Sequence, residues 1–390
     1  MDEPLYGTPI PHHTPTGPLS PPLARATTSA QPDAETLRLL GAGQRSGEFY
    51  QRLGHTNGRM FESLAAARAG ADGAVAFSSG MAAISGAMLA LVRRGDRVLI
   101  PHEVYGGTAA FVTQDLPRFG IEVERFHSLD DAGLEAGLAR GARLVVLETP
   151  VNPTLRLVDL AVTTARCRAH GAITLVDGTF APPPIQRPLQ LGADLVVHSA
   201  TKFYGGHSDV LAGVVAGRHE LMRPIEAFRR RTGGVLAPDP AWLLCRSWAT
   251  LDLRLAAQQA ASLELAVGLQ RLCDEGELAA AIYPGLPQHP DRALAQRQMQ
   301  GGGTLVSFEV HGGHDRARRV FDALQVVARA ASLGSVESLA SLPAYTTHAS
   351  LSAAERHAAG IPDGLLRISV GLEGAAVLLA DIASALRRTR

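Results

Sequence analysis

Of the 37 Lys and Arg residues in this 390-residue chain, one is lysine: Lys202, in the run His198-Ser199-Ala200-Thr201-Lys202. A genome that writes arginine wherever a surface cation suffices explains the many arginines, and it leaves the single lysine to chemistry. A guanidinium stays protonated, whereas an amine can shed its proton and condense with a carbonyl to form a Schiff base. Asp177 follows the apolar run Ile173 to Val176, and Ser78-Ser79-Gly80-Met81 follows Ala74 to Phe77. A Ser/Gly turn entering a helix points N–H groups and the positive end of the helix dipole at an anion. Taken singly, each has a plainer reading: Ser and Gly as helix caps, Asp as a turn or cap residue, Lys202 as a surface cation. Together they supply a phosphate cradle, a carboxylate to keep a pyridine nitrogen protonated, and an amine for an aldehyde. These are the three needs of pyridoxal 5'-phosphate (PLP).

The three groups face one ligand only if the apolar runs before them are strands of one parallel sheet, because ligands bind beyond the carboxyl ends of such strands. The pattern predicts that sheet. Apolar runs at 74–77, 97–100, 121–124, 144–147, 173–176 and 195–197 alternate with helical patterns at 81–92, near 108–116, and at 131–139 and 159–170. This is the rhythm of an α/β fold with a mostly parallel sheet covered on both faces. Residues 1–60, with eight prolines up to Pro32, read as an extended N-terminal arm lying over a surface such as that of another subunit. Residues 61–255 then form the cofactor-binding domain. An Ala- and Leu-rich helix over 242–275, bent near Thr250, leads into a smaller α+β C-terminal domain, 256–390. That domain offers strands at 303–310 and 365–370 and helices at 315–324 and 374–387.

Basic and acidic residues balance at 37 each, so no excess charge points to nucleic acid. Hydrophobic residues are 46% and charged ones 19%, the composition of a compact enzyme or subunit and not of a disordered chain. No apolar run approaches the roughly 18 residues that span a bilayer, and the Pro-rich N-terminus lacks the basic and apolar regions of a signal peptide. Cys167, Cys245 and Cys273 are too few and too scattered for a disulfide framework or a zinc site, and read as reduced core thiols. The expected setting is the cytoplasm, with a small-molecule substrate, no membrane or nucleic-acid partner and no metal; His12 and His13 have no spaced partners. His198 and His207 read as structural, and Arg229-Arg230-Arg231 as a solvated helix end.

The stretch Ser199-Ala200-Thr201-Lys202-Phe203-Tyr204-Gly205-Gly206-His207-Ser208-Asp209 resembles the lysine signature of the Cys/Met-metabolism PLP enzymes, which include the cystathionine synthases and lyases and methionine γ-lyase. The resemblance runs through nearly the whole chain. It includes Pro21-Pro22, Tyr50-Gln51-Arg52, Phe77 to Met81, Tyr105-Gly106-Gly107-Thr108, Glu148 to Thr154, Ser332-Leu333-Gly334, Glu337-Ser338-Leu339 and Arg367 to Glu373. It implies a fold-type I PLP enzyme in which Lys202 holds the cofactor covalently and later moves protons. Asp177 would face the pyridine nitrogen, and Tyr105 would stack on the ring and assist proton transfer. The phosphate would take the N–H groups of Gly80 and Met81, the hydroxyls of Ser199 and Thr201, and Tyr50 and Arg52 of a neighbouring subunit. Such sharing implies a dimer, paired into a homotetramer. Arg367, with Asn152 and the Ser332 region, would bind the α-carboxylate of an amino-acid substrate, a fork-to-fork contact that suits arginine.

The departures from the family concern specificity. His55-Thr56-Asn57 replaces the usual Asn-Pro-Thr at the pocket mouth, and Gly178 stands where an asparagine usually follows the aspartate. Ala110 and Ala331 replace an arginine and a glutamate common in cystathionine enzymes, and Gly107 replaces the cysteine of methionine γ-lyases. The resemblance implies a lyase that eliminates at the γ- or β-carbon of a sulfur-containing or related amino acid and releases a 2-oxo acid, ammonia and a thiol. A γ-replacement transferase and a PLP-binding subunit without turnover are the alternatives.

Overall fold

A computed structural model describes residues 19–45, 47–346, 348–349 and 352–390. Seven strands form the larger sheet: β1 Gly73–Phe77, β2 Arg97–Pro101, β3 Glu122–Phe126, β4 Ala142–Glu148, β5 Ile173–Asp177, β6 Leu195–His198 and β7 Gly213–Gly217. Their order is β1-β7-β6-β5-β4-β2-β3. Only β7 runs against its neighbours; the other six share one direction. The sequence reading has no counterpart for β7, because Gly213-Val214-Val215-Ala216-Gly217 is short and bounded by glycine.

The interior of β4 is an unbroken apolar run because helices cover both of its faces. Leu144 and Val146 pack with Ile84, Ala87 and Met88 of the helix Gly80–Leu91. Val145 and Leu147 pack on the other side with Leu134 and Leu138 of Asp131–Ala139 and with Leu160 and Cys167 of Leu160–Ala169. Each of these helices begins at a side-chain cap, Ser79, Asp130 and Asp159, which satisfies N–H groups of the first turn. The stretch near 108–116 is helical but changes type, from an α-turn at Gly106–Ala110 through a π-turn at Phe111–Asp115 to a 3-10 turn at Leu116–Phe119.

The single bent helix expected over 242–275 is two helices, Pro238–Trp248 and Leu251–Asp274, broken at Thr250. The longer one joins two cores: Leu251 and Leu255 pack beneath the larger sheet, and Leu265, Ala266 and Leu269 pack against the smaller. The smaller sheet has β8 Ala280–Ile282, β9 Leu305–Glu309, β10 Ala328–Arg329, β11 Leu339–Ser341 and β12 Leu365–Ser369, in the order β10-β11-β12-β9-β8. All its pairs are antiparallel except β10 with β11. The helices Gly313–Ala323 and Ala375–Arg388 complete this α+β unit.

Part of the segment read as an arm, residues 1–18 with His12 and His13, lies outside the described residues. Residues 19–33 run without helix, then Ala34–Gly41 forms a two-turn helix, and Thr56–Ala69 begins another. Asn57 holds the arm by its backbone: its Oδ1 accepts the N–H of Ala24 at 3.0 Å and its Nδ2 donates to the Pro22 carbonyl at 2.9 Å. The expected solvated helix end at 229–231 is corrected for Arg229. The helix His219–Thr232 lies against β1, so Arg229 is buried and its Nη1 donates to Glu62 Oε1 at 2.6 Å and to the Ala76 carbonyl at 2.8 Å.

Candidate active site

Because six strands of the larger sheet share one direction, their carboxyl ends form one rim. β1 leads to Ser79-Gly80, β4 ends at Glu148, β5 ends at Asp177, and β6 leads through His198 into the turn that carries Lys202. The lysine turn is pinned by Thr201, whose hydroxyl donates to the Ala212 carbonyl at 3.1 Å and accepts the Ala212 N–H at 2.9 Å. Ser199 donates its N–H to Thr179 Oγ1 at 2.9 Å. Its own hydroxyl takes no hydrogen bond among the described residues. A Cβ on Gly80 would stand 2.9 Å from Cβ and Oγ of Ser199, so only glycine lets the helix start and the lysine turn close into one cradle. The N–H groups of Gly80 and Met81 are first-turn donors that the helix itself does not use.

The amine of Lys202 donates to Ser332 Oγ at 2.8 Å. Burial pushes this amine below the ordinary lysine range, and the charge of Arg367 pushes it further the same way. Arg367 stands on β12 of the smaller sheet, buried, with Nη1 donating to Asn152 Oδ1 at 2.6 Å and Nη2 to the Ser332 carbonyl at 3.3 Å. Its guanidinium lies over the Phe180 ring, 5.3 Å from the centroid, and its Nε has no partner among the described residues. Burial pushes Arg367 down to about 10, so it remains charged at neutral pH. A buried, permanently charged fork with an unused donor beside a primary amine is a receptor for the carboxylate of an amino acid.

Asp177 accepts the N–H of Thr179 at 2.9 Å, and burial raises its carboxyl above the usual range against the pull of that bond. Directly across the ladder from it stands Glu148. Burial first, and then Asp177, push Glu148 up to about 8, while the N–H groups of Tyr105 and Asn152 and the charge of Arg367 act in the opposite sense. Sequence reasoning quoted Glu148 only within a motif; an acid closing an apolar strand, Leu144 to Leu147, was the available signal. The Tyr105 side chain is 44% exposed at the mouth of the crevice. A Cβ on Gly107 would come within 2.5 Å of the Tyr105 ring, so the residue that departs from the methionine γ-lyases is what lets the ring lie where it does.

The structure brings together Lys202, Ser332, Arg367 and Asn152, and sets Asp177, Tyr105, Gly80, Met81, Ser199 and Thr201 around the same rim. Among the described residues Tyr50 and Arg52 make no hydrogen bond to that set. Tyr50 is 41% exposed, and Arg52 stacks on it while donating to the Arg230 carbonyl at 2.5 Å. His55 and Asn57 are corrected: neither lines the pocket mouth. His55 is buried as the cap of Thr56–Ala69, with Nδ1 accepting the Gly58 N–H at 3.1 Å and Nε2 against the Leu236 carbonyl at 2.8 Å. Among the described residues no helix is long and apolar enough to cross a membrane, and no group of three or more His, Cys, Asp or Glu is placed to hold a metal.

The residues present fit PLP. The donor cradle at Gly80, Met81 and Ser199 suits a phosphate, Asp177 a pyridine nitrogen, and the depressed amine of Lys202 an aldehyde. The family described as Cys/Met metabolism PLP-dependent enzyme matches residues 10–387. L-methionine gamma-lyase of Pseudomonas deceptionensis is 41% identical over 374 residues, covering 95% of this chain and 93% of its own. O-succinylhomoserine sulfhydrylase of Pseudomonas aeruginosa is 41% identical over 345 residues, covering 88% and 85%. The crystal structure of cystathionine gamma synthase from Xanthomonas oryzae pv. oryzae in complex with aminoacrylate and cysteine superposes with a TM-score of 0.90 at 36% identity, covering 97% of this chain and 96% of that one. With a family match over most of its length, a similar sequence and a similar fold, the chain belongs to the Cys/Met metabolism PLP-dependent enzyme family.

Proposed function

We propose that the chain eliminates the γ-substituent (or β-substituent) of a sulfur-containing or related L-amino acid, with one water consumed, releasing a 2-oxo acid, ammonia and a thiol or similar leaving group. The observation that carries this reading is the junction of Lys202, Ser332, Arg367 and Asn152. Arg367 and Asn152 receive the α-carboxylate, which sets the Cα–H of the same amino acid beside the Lys202 amine. When bound, PLP supplies an electron sink for the pair left at Cα. Lys202 Nζ takes the α-proton and returns protons to the carbon chain, while Ser332 Oγ orients that amine. Tyr105 Oη delivers a proton to the departing sulfur from the open side of the crevice. Asp177 holds a proton on the pyridine nitrogen, and Gly80, Met81 and Ser199 bind the phosphate. Thr201 contributes there by pinning the turn, since its hydroxyl already bonds Ala212.

Ala110 and Ala331 leave no side-chain charge for the distal end of cystathionine, which favours a smaller or uncharged γ-substituent. Likeness to a sulfhydrylase and to a cystathionine synthase supports γ-replacement as a second reading. Release of pyruvate or 2-oxobutyrate from cysteine, methionine, cystathionine and O-acylhomoserines, with and without added thiol, separates the two. Methionine as the best substrate without thiol is the expected result; a thioether amino acid formed from an acylhomoserine and thiol, with no 2-oxo acid released from any substrate, would overturn elimination, and cystathionine as the best substrate would overturn the reading of the two alanines.

The active unit is read as a homotetramer, a dimer of dimers with shared sites, because Tyr50 and Arg52 stand outside their own chain's rim and are available to a neighbour. Hybrids of Arg52→Ala and Lys202→Ala subunits should recover part of the lost activity; verified hybrids with none would make each subunit self-sufficient. The thiols of Cys167, Cys245 and Cys273 are free, which supports a reducing, cytoplasmic setting. A division into an arm at 1–60, a PLP-binding domain at 61–255 and a C-terminal domain at 256–390 is supported by clusters confined to one side, on both faces of the larger sheet and around the smaller one, while a further cluster joins the two through Ala295, Met299, Leu305 and Leu333.

A further inference from the structure

A buried carboxyl is costly unless something satisfies it, and the usual remedy is a cationic side chain. Glu148 is buried at the end of β4, yet its hydrogen bonds go to two backbone N–H groups: Oε2 accepts from Tyr105 at 2.7 Å and Oε1 from Asn152 at 3.4 Å. Those donors belong to different loops, one following β2 and one following β4, and each loop carries a residue assigned above to ligand binding. Tyr105 is 44% exposed and no side-chain cap bonds the helix that it starts, so packing alone holds it only in part. Asn152 in turn accepts from Arg367.

We propose that Glu148 is a positioning residue: its two carboxylate oxygens clasp the N–H groups of Tyr105 and Asn152 and so set the spacing between the ring-stacking side chain and the carboxylate-binding Asn152–Arg367 pair. The proposal rests on the roles given to Tyr105, Asn152 and Arg367 under the proposed function. The groups facing Glu148 are Asp177 from β5, Arg367 from β12 and the two N–H dipoles. The hydroxyl of Thr108, buried and without a partner among the described residues, sits in the same closely packed region with Ile84, Val104 and Val146. Asp177 is the neighbour that favours a proton on Glu148. A pyridinium opposite Asp177 offsets that charge, and the ionised clasp, with both oxygens free to accept, gains.

Hydrogen exchange on the wild-type holoenzyme, resolved to single amides by electron-transfer fragmentation, reads the clasp without reference to turnover. Slow exchange at both Tyr105 and Asn152 is expected; exchange of either at the rate of an open loop would overturn the proposal. Glu148→Gln turns one acceptor into a donor facing an N–H. It should retain the cofactor on Lys202, change the visible circular dichroism of the bound cofactor, and lower kcat/KM by about 10- to 100-fold, the scale expected of a small misplacement. Glu148→Asp keeps the charge but draws the oxygens back, and should move the same two readouts by less. A folded holoenzyme of either variant with wild-type dichroism and kcat/KM would leave Glu148 a merely structural acid and sink the proposal. Absence of cofactor from Lys202 in the wild-type protein would instead strike the underlying site.

Discussion

The two halves of the crevice are built by different means. In the cofactor half the hydrogen bonds are short in sequence: Thr179 to Asp177 spans two residues and Thr201 to Ala212 eleven. In the carboxylate half they are long: Arg367 to Asn152 spans 215 residues and Lys202 to Ser332 spans 130. One sheet, with its turns, assembles most of the first. The second exists only once β12 and the Ser332 segment have docked against the larger sheet. Lys202 belongs to both, since its turn is local and its amine is held from afar.

The largest effect should come from Lys202→Arg, which keeps a cation and removes the amine. Borohydride reduction and peptide mapping should find the cofactor adduct on Lys202 in the wild type and none in the variant, with activity reduced by at least about 1000-fold. An adduct at the N-terminal amine would break the assignment of the cofactor half.

Arg367→Ala should separate the halves. Losing the buried fork is expected to cost about 2–5 kcal/mol in kcat/KM for every amino-acid substrate, roughly 30-fold to several thousand-fold. Cofactor content should be unchanged. In the cofactor-free protein the Lys202 amine should titrate higher than in the wild type, because one of the two causes lowering it is the Arg367 charge. Loss of cofactor together with substrate affinity would show that the halves are one unit.

A third test probes the sheet behind the cofactor half. His198 closes β6, packs edge-on against Tyr204 with centroids 5.2 Å apart, and has no hydrogen-bond partner for either ring nitrogen among the described residues. Burial pushes it down to about 4, against about 6.5 in an unfolded chain. The unfolded state therefore takes up the proton first, so the contribution is intact above pH ~6.5 and is lost as pH falls toward ~4. Urea unfolding should show about 2 kcal/mol less stability from this residue at pH 5 than at pH 7, and His198→Phe should flatten that share. His348, also pushed down to about 4 by burial and by Arg367 and Arg356, keeps its own part of the slope. An unchanged slope in His198→Phe would place the titration elsewhere.

The smallest effect is expected at the rim of the carboxylate half. Ala331 is exposed beside Ser332, so Ala331→Glu adds a solvated charge worth about 0.2–1 kcal/mol. It should shift the preference between cystathionine and methionine by a few-fold and leave cofactor binding alone. A change of more than about tenfold would mean that this position is enclosed in the assembled protein.

Most of the cofactor half was legible in the order of residues. Strand ends, helix caps and a lone amine are local features, and the runs before Gly80, Asp177 and Lys202 are strands of one sheet whose carboxyl ends share a rim. The carboxylate half was legible only through family resemblance, because nothing local ties Arg367 to Asn152. Arg229 and His55 were misread for a related reason. A polar side chain looks the same in sequence whether it meets water or a buried carbonyl, and the partners here, Ala76 and Leu236, come from other elements.

Alternation, capping and the chemistry of an amine are properties of short stretches of chain, which is why the fold class, the cofactor and its lysine can be read without coordinates. The tying of Lys202 to Ser332, the burial of Arg367 over Phe180, and the clasp of Glu148 on two loops arise from how two hydrophobic cores settle against each other. That settling depends on contacts between residues one to two hundred positions apart, for which no local pattern in the chain carries a signal.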